Sequence, residues 1–127
     1  MRATMCDGEF LMRCKIPDEP LKAQVALAAR RAIAQLGTVP TETIRPDDRF
    51  AHDLVQLPFW DSLDWLGYII EVEQPFEGKV VFDSSVIDEA VKLAGGRPLE
   101  LRVKHVVRAT VLAASYRPEK AVLYEDI

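Results

Sequence analysis

The chain has 127 residues, 49% of them hydrophobic and 28% charged, which is enough for one buried core and short for two, so a single domain with tails is expected. No segment approaches the roughly 18 to 20 unbroken apolar residues of a membrane-spanning helix. Nor does Met1 to Lys15, with Arg2, Asp7, Glu9, Arg13 and Lys15 scattered through it, hold the apolar h-region of a secretory signal, so a cytoplasmic location is the expectation.

The net charge of −4 is unevenly spread, with 6 basic and 4 acidic side chains in residues 1–41, 3 and 12 in residues 42–90, and 7 and 4 in residues 91–127. An acidic middle repels a phosphate backbone and attracts basic protein surfaces, so a protein partner is expected and nucleic acid is not. Cys6 and Cys14 lie far from His52 and His105 in sequence and make no zinc spacing, so ordinary reduced thiols and no metal are expected.

In chain order, a loose stretch runs to Pro17 and Pro20. The first helix follows, with Leu21, Val25, Ala28, Ala29, Ala32, Ile33 and Leu36 at helical spacing, Gly37 as its C-cap and Pro40 beyond it. Thr38 to Trp60 contains Pro40, Pro46 and Pro58 and lacks periodicity, so it reads as a long connection pinned by Ile44, Phe50, Leu54, Val55 and Leu57, with room for a one-turn helix around Asp47 to His52.

From Ser62 the pattern is helical again. Leu63, Leu66 and Ile70 form one apolar stripe, Trp65, Ile69 and Val72 a second, and Asp61, Asp64, Glu71 and Glu73 the polar side, before Pro75 and Gly78 end the helix. Lys79 to Phe82 is a short extended run that cannot make a sheet alone. Ser84 or Ser85 then caps a helix holding Val86, Ile87, Ala90, Val91 and Ala94, closed by Gly95-Gly96. The last element, Leu99 to Ser115, reads as a helix with Val103, Val106, Val107, Thr110, Val111 and Ala114 on one face, a strand pair being the competing reading because so many of its residues are β-branched.

The run Phe50-Ala51-His52-Asp53-Leu54, a short gap, and Asp61-Ser62-Leu63-Asp64 at the head of an acidic amphipathic helix resembles the acyl carrier protein family over roughly Leu21 to Ala114. The resemblance implies an all-α, acyl-carrier-like four-helix bundle with a long first loop, occupying residues 19–116 between an N-terminal extension (1–18) and a C-terminal tail (117–127). It also implies that Ser62 carries a covalent 4'-phosphopantetheine whose thiol holds acyl groups as thioesters. Asp61, Leu63, Asp64, Trp65, Glu71 and Glu73 would then dock a phosphopantetheinyl transferase and acyl-transfer or synthase enzymes, and the chain would be a monomer and not itself an enzyme. Phe59-Trp60 stands where the family has a small Gly-Ala pair.

Two other readings compete. Asp61 and Ser62 are both good N-cap residues, so they can cap the helix of an unmodified interaction module that binds a protein through Trp60, Trp65 and the acidic face. Ser62 with His52 and Asp53 suggests a hydrolase, but no Gly-x-Ser-x-Gly turn or oxyanion hole accompanies them.

Overall fold

Small side chains decide how closely helices approach the longest one, Pro20–Gly37, where Ala26, Ala28, Ala29, Ala32 and Ala34 are buried with Val25 and Ile33. The computed structural model describes residues 4–50, 62–83 and 85–116, without the side chains of 62–64. Within them the elements are α1 (Asp7–Arg13), α2 (Pro20–Gly37), α3 (Ser62–Glu73), β1 (Val80–Phe82), α4 (Val86–Leu93), α5 (Val103–Ala113) and β2 (Ala114–Tyr116). α2 packs against α1, α3 and α5, and α4 packs against α5. Pro20 opens α2 at a first-turn position, where its missing N–H costs nothing. Gly37 is the last helical residue rather than the cap, and Thr38 takes the left-handed turn (φ 56°), its N–H donating to Ala34 and Gln35 carbonyls.

The protein is mostly helical, but the expected four-helix bundle is corrected in two ways: five α-helices occur among the described residues, and β1 and β2 form an antiparallel ribbon. Residues before Pro17, read from sequence as loose, hold α1, whose Phe10 is fully buried and whose following residue Cys14 lies in the same core as Met5. The last element is helical only to Ala113. It then turns extended so that Ala114, Ser115 and Tyr116 pair with Phe82, Val81 and Val80, which gives that apolar run the backbone partner it lacked.

The connection after α2 holds a 3-10 turn at Thr41–Thr43. No helix forms over the described part of Asp47 to His52, 47–50. That segment instead runs against the start of α5. The N–H groups of Val103 and Lys104 donate to the Asp48 and Pro46 carbonyls at 2.9 Å each, and Phe50 N–H donates to the Leu101 carbonyl at 3.3 Å. Backbone from a distant segment thus satisfies first-turn donors that a helix cannot bond internally.

Arg30 lies on the apolar side of α2 and is 1% exposed. Its guanidinium donates to the Ile44 carbonyl (2.9 and 3.1 Å), the Met5 carbonyl (2.8 Å) and Asp7 Oδ1 (2.8 Å), and lies 4.4 Å from the centre of the Phe10 ring. One side chain therefore ties α1 and the connection to α2. Burial pushes the Cys14 thiol up to about 12, so it stays protonated and shielded at neutral pH, whereas Cys6 is exposed. Alkylation with iodoacetamide is expected to label Cys6 alone in the folded protein and Cys14 only in denaturant; mass spectrometry of the labelled peptides checks this, and early labelling of Cys14 would contradict the placement of α1.

Candidate functional site

Helix α3 is a twelve-residue helix beginning at Ser62. Ser62, Leu63 and Asp64 form its first turn, while Asp61, His52, Asp53, Leu54 and Trp60 lie outside the described residues, so the Ser62–His52–Asp53 hydrolase grouping has no described geometry. The first backbone N–H groups of any helix lack internal partners and carry the positive end of its dipole, which suits an anion attached at that end.

Further along α3 the two sequence-predicted stripes divide. Tyr68 and Val72 are fully buried, with Trp65 and Ile69 packed beside them. Trp65 meets the Tyr68 ring edge-on, at 5.8 Å between centroids and 84° between planes, a favoured aromatic arrangement. Leu66 and Ile70, read from sequence as part of one apolar stripe, are 56% and 50% exposed. The reason is register: Trp65, Tyr68, Ile69 and Val72 follow i, i+3, i+4, i+7 toward α2, and this leaves the Leu66–Ile70 row on the outer side. Tyr68 was missing from the sequence-predicted stripes. Its hydroxyl lies 2.7 Å from Thr110 Oγ1, and the Thr110 hydroxyl donates to the Val106 carbonyl, so Tyr68 is the donor in that pair. Burial pushes its phenol up, keeping it a donor.

Glu71 and Glu73 are half-buried rather than fully projecting. Beside Leu66, an apolar groove of about 270 Å³ is lined by Trp65, Ile69, Phe82, Val86 and Ile87. It sits between α3, the end of β1 and the start of α4. Ser85 caps α4, its hydroxyl accepting from the Asp88 N–H at 3.4 Å. Among the described side chains, the half-buried Glu71 and Glu73 and the outer Leu66–Ile70 row share one helix, a mix able to combine charge steering with apolar burial.

His105, which the sequence places only outside any zinc spacing, has a definite task in the structure. Its Nδ1 accepts the Arg102 N–H at 3.0 Å, closing the first turn of α5, as a Gln or Glu three residues after an N-cap does. Burial first, then the charges of Lys104, Arg102 and Arg108, hold its pKa below the usual imidazole value. The unfolded chain therefore takes up the proton more readily than the fold. This contribution to stability is whole above the ordinary value of about 6.5 and is lost as pH falls through the lower, folded value. His105→Gln, which keeps an acceptor without titrating, is expected to flatten the fall in Tm between pH 8 and pH 5; an unchanged slope would remove His105 from this role.

Asp47 accepts from Lys104 Nζ at 2.9 Å, and that hydrogen bond holds its carboxyl below the usual range. Among the described residues no group of three or more His, Cys, Asp or Glu side chains could hold a metal, and no helix is long and apolar enough to cross a membrane. No protein-family model matches the chain, and neither a curated protein nor a solved structure matches it.

Proposed function

We propose that the chain is an acyl-carrier-like protein in which Ser62 is the attachment point of a covalent 4'-phosphopantetheine arm. The observation that carries the reading is that α3 opens at Ser62 and presents Leu66 and Ile70, half-exposed, along the same helix. The order of four of the described helices adds support: α2, a connection, α3 opening at Ser62, α4 and α5 follow one another as a four-helix chain with a long first loop would, with α1 and the β1–β2 ribbon outside that pattern.

The residues present fit such a group. A serine at a helix start has a hydroxyl that can form a phosphodiester, the helix N-terminus favours its negative charge, and the groove between α3, β1 and α4 offers apolar walls one to two turns away. Once attached, the arm supplies a thiol on which acyl groups are held as thioesters. The chain's own residues then have only to present Ser62, orient partner enzymes and shield what is carried. Asp61, Asp64, Glu71 and Glu73 steer basic enzyme surfaces, the modifying transferase and acyl-transfer or synthase enzymes among them, while Leu66 supplies apolar contact. Catalytic groups come from the partners.

The test is the intact mass of the purified protein after incubation with coenzyme A and a broad-specificity phosphopantetheinyl transferase. A gain of one phosphopantetheinyl group is expected; no gain with several transferases would overturn the reading. A second reading, an unmodified interaction module, is favoured by the exposure of Leu66 and Ile70, which suits a protein interface without any arm. Leu66→Asp with Ile70→Asp would then abolish partner binding in protein that never gains mass.

A further inference from the structure

A second groove, its lining part apolar and part basic, lies away from α3, where the end of α1, the start of α2 and the end of α5 meet. Its volume of about 310 Å³ falls at the lower end of the range of small-molecule sites, about 300–1,000 Å³. Ile16, Pro17 and Leu112 supply most of its apolar surface, and Lys15, Lys22 and Arg108 stand around it. Leu112 is 69% exposed although α5 buries Val106, Val107, Thr110 and Val111, so its side chain is left without cover at the groove.

The conformation of Lys15 is an independent observation. α1 ends in paired hydrogen bonds, Lys15 N–H to the Met12 carbonyl (3.1 Å) and Ile16 N–H to the Leu11 carbonyl (3.2 Å), with Lys15 at φ 59°. This is the C-terminal helix motif in which glycine is the usual residue at the left-handed position. A lysine there carries backbone strain, yet its side chain lines the groove. Lys22 is engaged by Glu19 at 2.7 Å. Among the described residues Lys15 and Arg108 pair with no carboxylate.

We propose that this groove binds an amphiphilic anion, an unbranched carboxylate of about eight to ten carbons on the scale of the cavity. Its chain lies on Ile16, Pro17 and Leu112, and its carboxylate lies between Lys15 and Arg108. The apolar surface gives affinity for the chain, and two cations that pair with no carboxylate among the described residues select a negative head over a neutral or positive one. The site does not depend on Ser62.

Calorimetric titration of the full chain with decanoate, below its micelle concentration and at low salt, tests this. One saturable site is expected, with decanol binding at least about fivefold more weakly. Lys15→Gly is the informative variant: it relieves the left-handed strain, so Tm rises, yet decanoate weakens about two- to fivefold. Lys15→Gly with Arg108→Gln weakens it about tenfold, and Leu112→Asp, at an exposed position, removes binding from a folded protein. No saturable binding, decanol as tight as decanoate, or affinity indifferent to these substitutions would each overturn the proposal.

Discussion

Replacing Arg30 with Met is expected to destabilise the fold by about 2–4 kcal/mol and to release α1 first. Methionine keeps much of the buried volume but donates no hydrogen bond, so the Met5 and Ile44 carbonyls lose the guanidinium donors they use. Asp7 contributes little to this cost, because its side chain is 61% exposed and water can solvate it once the ion pair is gone. Lysine is no substitute, since one ammonium cannot reproduce the planar fork that reaches Met5, Ile44 and Asp7 together. A loss of this size is a large share of the 5–15 kcal/mol typical of a domain. Urea denaturation reads the total, and iodoacetamide labelling of Cys14 in native buffer reads the local release. An Arg30→Met protein of unchanged stability with Cys14 still shielded would show that α1 is held by Phe10 and Met5 alone.

Ser62→Ala is expected to abolish phosphopantetheine incorporation completely while leaving a folded protein. Loss is complete because alanine has no hydroxyl on which a phosphodiester can form. Survival follows from the magnitudes: even if Ser62 also caps α3, removing a cap costs about 0.5–2 kcal/mol, whereas the helix is held by the burial of Tyr68 and Val72. Circular dichroism and intact mass on one sample separate the two effects. Incorporation persisting in the variant would move the attachment to another side chain, and an unfolded variant would mean that Ser62 serves mainly the helix. Leu66→Asp with Ile70→Asp supplies the complementary case, because both positions are at least half-exposed. Here the hydroxyl remains, so slowed modification would report lost docking to the transferase.

Much of the helical layout was legible because it rests on local chemistry. The 3.6-residue spacing of α2, the Ser85 cap of α4, and the Gly95-Gly96 pair with left-handed φ of 79° and 78° are all written within a few residues of where they act. What was misread is non-local. Gly37 was a sound C-cap candidate, but the helix extends through it and Thr38 turns the chain. Leu66 and Ile70 have the same spacing as core residues, and only the position of α2 decides which apolar row of α3 is covered. Arg30 left a trace that could have been followed, a charge on the same apolar stripe as Ala26, Ala29 and Ile33, which demands acceptors if it is buried. His105 left a weaker one, a side chain with an acceptor at the third position of a helix.

Composition, charge pattern and periodicity by themselves determined a mostly helical chain with an acidic middle and a helix opening at Ser62, because helix spacing, capping and charge are properties of neighbours along the chain. The tertiary structure alone decided that α1 belongs to the core, that the end of α5 turns extended to pair with β1, and that backbone at Pro46 and Asp48 closes the start of α5. Each of these satisfies a group whose partner lies tens of residues away: the Arg30 guanidinium, the β1 backbone and the first donors of α5. A buried polar group must find such a partner wherever the fold brings one, and no local pattern records which one that will be.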